Sequence, residues 1–173
     1  MKFLLRHAAL LASASFATLA ALPVVVHAQT AGTWPADKNI TWVVPFTPGG
    51  STDVIGRTIS QKLSDVLKQS VVVDNKPGAA GAVGAGFVAK SKPDGYTLFG
   101  GTISTHAINA SLYKNLSYDP VKDFEPITLV ASLPNVLIVS PTLGVNNVAE
   151  LVALLKRDPS KRMFASSGSG TSA

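Results

Sequence analysis

Two glycine-rich loops carry the groups best suited to chemistry. Phe46-Thr47-Pro48-Gly49-Gly50-Ser51-Thr52-Asp53 and Ala165-Ser166-Ser167-Gly168-Ser169-Gly170-Thr171-Ser172 each follow a short apolar run and offer Ser or Thr where a helix would start. Glycine lets a ligand approach the backbone closely. The first N–H groups of a helix lack partners within it, and the helix dipole adds positive potential, so such a loop binds an anion without any arginine. In open parallel sheets these loops lie at the carboxyl ends of strands, where ligands bind. One loop of this kind serves as well for an N-cap and a turn; two in one short chain point to binding. Gly100-Gly101-Thr102-Ile103-Ser104-Thr105-His106 is a third candidate, with the hydroxyls of Thr102 and Ser104 and a histidine that is either a ligand donor or a structural one.

The energetics suffice for capture. A hydrogen bond to a charged group contributes roughly 1.5–3 kcal/mol. Four or five of them give about 6–15 kcal/mol before the cost of association, against about 8 for micromolar binding.

Catalytic readings fare worse. Gly84-Ala85-Gly86-Phe87-Val88-Ala89 fits a permissive G-x-G-x-x-A pattern but sits well past the preceding strand, with no acidic residue about 20 positions on. Small residues packing a helix against a sheet explain it better. Neither a P-loop nor a G-x-S-x-G elbow occurs. A Ser-His-Asp site would need His106 with Asp53 or Asp94, and no spacing supports it. An exported hydrolase using His106 is the least favoured alternative.

The elements that must position the loops follow from periodicity. Ile40 to Phe46 reads as a buried strand, and Ile55, Ile59, Leu63, Val66 and Leu67 recur at helical spacing. Val71-Val72-Val73 is a second strand, residues 79–91 are small and helix-compatible, and Tyr96 to Phe99 is a third strand. This β-α-β-α-β order argues for an open parallel sheet. Residues 102–113 read as a loop entering a short helix, and 114–126, with Pro120 and Pro126, as a crossing into a second lobe. Further strands are expected over 127–131 and 135–140 and from Met163 to Ala165, with a helix carrying Val148, Leu151, Val152 and Leu155.

The N-terminus reads as an export signal. Lys2 and Arg6 precede an apolar run through Leu22, and Val26-His27-Ala28 ends it with small residues before a cut after Ala28. Ser13, Ser15, Thr18 and Pro23 interrupt the run, which argues against a membrane anchor. With no cysteine near the cut to carry a lipid, the mature chain is expected free in the exported compartment. Losing Lys2 and Arg6 reduces the net charge from +5 to +3, and the remaining basic residues are scattered apart from Lys156-Arg157 and Lys161-Arg162. Nucleic-acid binding therefore has neither motif nor patch. The sequence has no cysteine, and His106 is the one histidine beyond the leader, so neither a disulfide framework nor a structural zinc site is expected.

At this point the motifs carry a resemblance. Val44 to Asp53 resembles the first ligand loop of the Bug family, the substrate-binding proteins of tripartite tricarboxylate transporters. Val73-Asp74-Asn75-Lys76-Pro77-Gly78-Ala79-Ala80-Gly81, Pro93 to Leu98, Thr105 to Asn109 with Leu112-Tyr113, and Tyr118-Asp119-Pro120 to Phe124 resemble further family signatures, and Ser166 to Ser172 resembles the second ligand loop. The resemblance runs in order through nearly all of residues 35–173.

It implies a truncated α/β fold of the type II periplasmic-binding-protein kind. Residues 1–28 would be the signal peptide, 29–38 a flexible lead-in, 39–113 the first lobe and 114–173 an incomplete second lobe. It implies capture of a small organic carboxylate, without cofactor, metal, nucleic acid or stable membrane insertion. The implied ligand contacts are Phe46, Gly49, Gly50, Ser51, Thr52 and Asp53, then Thr102 and Ser104, and then Ser166, Ser167, Gly168 and Thr171. The implied partner is the membrane permease of a tripartite tricarboxylate transporter in the periplasm, or a membrane sensor in the alternative reading. Family members are about twice as long, so exposed apolar edges and faces are expected.

Overall fold

The computed structural model describes residues 34–172, so the expected leader over residues 1–28 lies outside the described residues. Three strands, β1 (Ile40–Val44), β2 (Val71–Asn75) and β3 (Thr97–Phe99), form a parallel sheet in the order β2-β1-β3. Ile40 is in register with Val71, Val44 with Asn75, and Trp42 with both Val73 and Leu98. The central strand is covered on both faces, and Ile40, Val43 and Val44 are fully buried. A strand buried on both sides must be a continuous apolar run, which is how Ile40 to Val44 reads.

Helix α1 (Ser51–Leu67) joins β1 to β2, and α2 (Ala82–Ala89) joins β2 to β3. The first connection runs outward and the second returns across β1, so right-handed crossovers place the helices on opposite faces. Side-chain alternation agrees. A Cβ on Gly56 of α1 would meet Trp42 and Val44, whereas one on Gly84 of α2 would meet Pro45. The Gly84–Gly86 stripe is therefore a packing device: Gly84 also lies against the carbonyl of Lys76, and Gly86 against the Ser117 hydroxyl.

Beyond β3 the chain makes one π-helical turn (Ser104–Ile108) and runs into α3 (Asn109–Leu112). Farther on comes α4 (Val148–Arg157). Its cap is reciprocal: the Asn147 side chain accepts from the Glu150 N–H at 2.9 Å, and the Asn147 amide donates to the Glu150 carboxylate at 2.8 Å. Lys156 and Arg157 fall in its last turn, where cations suit the dipole.

The α/β class and the parallel sheet match the sequence expectation. The strands expected over 127–131, 135–140 and 163–165 do not form. Leu129 is 83 % exposed, Ile138 82 % and Phe164 89 %. A strand gains its stability from the ladder and the face beside it, and these segments pair with no strand among the described residues. No described helix is long and apolar enough to cross a membrane.

Gly56 yields a prediction against propensity. Ala normally stabilises a helix interior over Gly by about 1 kcal/mol. Here the added methyl would sit 3.0 Å from Trp42 Nε1 and 3.2 Å from Val44 Cγ2, both buried. Gly56→Ala is therefore expected to destabilise the chain by about 1 kcal/mol or more, read from urea unfolding.

Candidate functional site

The loops that follow β1, β2 and β3 all emerge at the carboxyl edge of the sheet, as parallel strands require. The first runs from the end of β1 to the start of α1. Gly50 is the N-cap and supplies no side chain, and the first intrahelical bond is Val54 N–H to Gly50 C=O at 3.0 Å. The amides of Ser51, Thr52 and Asp53 precede that bond and so have no acceptor in the helix. Ser51 is exposed and Thr52 half-buried. The Thr52 methyl packs 3.7 Å from the Cβ position of Gly100, so the first turn of α1 adjoins the loop after β3.

Asp53 has a different role from its neighbours. Its side chain is buried, and both oxygens are occupied: Oδ2 accepts from the Gly49 N–H at 2.9 Å and Arg57 Nε at 3.0 Å, and Oδ1 from Asn75 Nδ2 at 2.9 Å. Asn75 Nδ2 also reaches the Phe46 carbonyl at 3.1 Å, and Arg57 Nη2 donates to Asn75 Oδ1 at 3.1 Å. One carboxylate thus ties the entrance of the loop to its exit and to the end of β2. The hydrogen bond from Arg57, then that from the Gly49 amide and then that from Asn75, hold its pKa down at about 2. The charge at the helix start is compensated by Arg57, so it leaves the neighbouring amides open to a second anion. The resemblance counts Asp53 among the ligand contacts; the carboxylate seen here shapes the loop. Arg57 and Asn75 were not singled out as site residues. The i, i+4 spacing of Asp53 and Arg57 was the available signal.

The turn after β2 is conformationally costly. Gly78, Ala79, Ala80 and Gly81 all have positive φ, and at Ala79 (φ 46°) and Ala80 (φ 51°) this is the left-handed region that alanine disfavours. Gly81 sits where a Cβ would strike Thr105 and crowd Pro45, so that the three loop beginnings lie close together. Phe46 itself is half-buried.

After β3, the Thr102 N–H donates to Thr105 Oγ1, which donates to the Thr102 carbonyl, both at 3.0 Å. Thr102 Oγ1 is buried without a partner, and Ser104 is buried. His106 lies between Phe99 and Phe124, with ring centroids 5.9 and 4.9 Å away, and its Nδ1 is 2.9 Å from Thr105 Oγ1. Burial lowers its pKa, partly countered by a hydrogen bond with the Thr102 backbone. Asp53 is bound elsewhere, and Asp94 pairs with Lys38 and the Tyr96 amide, so neither aspartate serves His106 as a catalytic partner.

The second loop is bonded largely to itself. The Gly168 N–H donates to Ser166 Oγ at 3.2 Å, Ser167 Oγ to Thr171 Oγ1 at 2.9 Å, and Thr171 Oγ1 to the Gly168 carbonyl at 2.6 Å. Ser166, Ser167 and Gly168 are exposed and Thr171 half-buried. The loop meets the sheet edge through Gly170, which packs against Ala80, Asn109 and Leu112. Two surface grooves, one lined by Arg57, Ser60 and Gln61 and the other by Ile103, Ala107 and Leu112, contain no residue of the Phe46–Asp53 loop.

A parallel α/β sheet with glycine and hydroxyl loops at its carboxyl edge is an architecture that places ligands at that edge. The chain belongs to the tripartite tricarboxylate transporter family receptors, whose sequence pattern matches residues 55–173. It is 39 % identical over 145 residues to BugT of Bordetella pertussis, covering 83 % of this chain and 44 % of that protein. Among solved structures, a Rhodopseudomonas palustris protein with adipate is 43 % identical, with a TM-score of 0.69 over 72 % of this chain and 41 % of the other. MatC from Rhodopseudomonas palustris with bound malate is 33 % identical, with a TM-score of 0.65 over 70 % of this chain and 41 % of the other. The family is one of receptors, and the chain shares its α/β fold with these two neighbours. The chain spans less than half the length of the curated relatives it matches.

Asp53 gives a pH prediction. An unfolded aspartate titrates near 3.8 and the folded one near 2, so folding favours the ionised form. Its contribution is present above about pH 4 and is lost as pH falls through about 2. Asp94, Asp119, Glu150 and Asp158 are also lowered, by hydrogen bonds from nearby side chains and amides, so the comparison with wild type carries the result. Asp53→Asn is expected to lower the urea midpoint at pH 7 and to shrink its gap from wild type as the pH falls from 4 to 2. A gap independent of pH would remove Asp53 ionisation from the account.

Proposed function

We propose that this chain is the ligand-capturing part of a periplasmic solute-binding protein that takes a small organic carboxylate and passes it to a tripartite tricarboxylate-type permease. The observation that carries the reading is the first turn of α1: its amides precede the helical ladder, open at the carboxyl edge of the sheet, beside an aspartate already neutralised by Arg57. Family membership supports it, as do two structural neighbours described with adipate and with malate.

In this reading Phe46, Gly49, Gly50, Ser51 and Thr52 receive one carboxylate, with Asp53 holding their loop in shape. Thr102 and Ser104 border the site after β3, and Ser166, Ser167, Gly168 and Thr171 approach from residues 114–173, a second lobe that closes over the first at 39–113. Residues 1–28 are the export signal. Binding alone is asked of the site.

Isothermal titration of the full chain with adipate and with malate is the test. Ser51→Ala removes a hydroxyl from a charged ligand and should raise Kd about tenfold to a hundredfold, and Thr171→Ala, whose hydroxyl must first leave its bonds within the loop, should raise it by less than about tenfold. Wild-type affinity retained by both variants would place the carboxylate elsewhere, and absence of heat with every small mono-, di- and tricarboxylate would end the reading.

A further inference from the structure

Asn109 opens α3 with no exposed surface. Its Nδ2 donates to the Ala80 carbonyl at 3.1 Å and lies 3.5 Å from the Tyr118 hydroxyl, which donates to the Thr105 carbonyl at 2.6 Å. A carbonyl only accepts, so the Ala80 contact fixes which end of the amide faces it. Oδ1 therefore points the other way, and it is buried without a hydrogen-bond partner. Buried acceptors are rarely left so, because the loss of water is then uncompensated.

What lies before this oxygen is the second loop. A Cβ on Gly170 would come within 3.1 Å of Asn109 Oδ1, 2.9 Å of the Ala80 Cβ and 3.1 Å of Leu112 Cδ2. Gly170 also has φ +88°, which L side chains rarely adopt. The loop thus enters a notch formed by Ala80, Asn109 and Leu112, where any Cβ would have to push its neighbours aside.

We infer that Asn109 is a positioning residue for solute capture: its buried amide, holding the Ala80 carbonyl, forms the seat against which the second loop docks through Gly170. One buried amide then joins three parts of the site, the turn after β2 through Ala80, the turn after β3 through Tyr118 and Thr105, and the second loop through Gly170. The inference rests on the carboxylate-binding reading for its purpose, but the seat itself has a separate readout.

The chain has no cysteine, so an introduced pair reports proximity cleanly. A disulfide needs its Cβ atoms about 3.5–4.5 Å apart, which positions 80 and 170 reach by moving apart by roughly an ångström or less. Ala80→Cys/Gly170→Cys is expected to oxidise at least about tenfold faster than the control pair Ala80→Cys/Gly144→Cys, read by mass and free-thiol count. Adding Asn109→Leu, which cannot donate to the Ala80 carbonyl, should slow the closure about tenfold. Equal rates for the test and control pairs, or no effect of Asn109→Leu, would overturn the seat. For capture, Gly170→Ala changes only the docking residue and should weaken adipate or malate binding about tenfold. The oxidised test pair should bind at least as tightly as the reduced one. If oxidation abolishes binding that the reduced form shows, the contact is not part of the capturing arrangement and the inference fails. If the cross-linking pattern holds and no carboxylate binds the wild type, the proposed ligand class is wrong and the seat stands.

Discussion

The structure depends on a single strand. β1 lies between β2 and β3 and is covered by helices of opposite faces, so it has no polar surface to offer a ligand. Because both neighbours run parallel to it, the three strands deliver their carboxyl ends to one edge. Recognition is thereby moved entirely into loops, and the close approach of those loops falls to glycine. Gly81 and Gly100 matter through their lack of volume: a side chain at the first would push on Thr105 and Pro45, and one at the second on Trp42.

The electrostatic design follows from that edge. A helix start with open amides favours one negative group, and Asp53 already supplies one three residues in. Left unpaired it would compete with an arriving anion. Arg57, the Gly49 amide and Asn75 absorb it, and the same three bonds fix the loop. The charge that could have spoiled the site becomes the clamp that shapes it, and the amides beyond it remain open. In the proposed capture, an anion is recognised by preorganised dipoles, with the Arg57 guanidinium engaged by Asp53.

How much of this was legible depends on whether a signal is local. The strands Ile40–Val44 and Val71–Asn75 and the helix Ser51–Leu67 carry their patterns in consecutive residues, and the glycine loops at their ends could be read with them. The stripe at Gly84 and Gly86 was legible as packing because its position, well past β2, ruled out a phosphate turn. The exposed run from Ile127 to Ile138 was not, because no strand among the described residues lies beside it to complete its strand-like pattern. The relatives extend over more than twice the length matched here. Asn109 was illegible for a related reason: one asparagine among many is distinguished by the Ala80 carbonyl and the Gly170 backbone, far away in sequence.

The two loops are not energetic equals in the proposed capture. The hydroxyls of Ser167 and Thr171 already hold each other and the Gly168 carbonyl. Turning them toward a ligand gives up neutral bonds that contribute roughly 0.5–1.5 kcal/mol each for charged ones of roughly 1.5–3, so the net gain per group is modest. The amides of Ser51 and Thr52 surrender only water. The first loop therefore supplies most of the affinity, and the second, seated by Gly170, supplies coverage and exclusion of solvent, which strengthens the bonds the first loop makes. A receptor built this way keeps its anion-binding half rigid and lets the adaptable half decide what the carboxylate may be attached to.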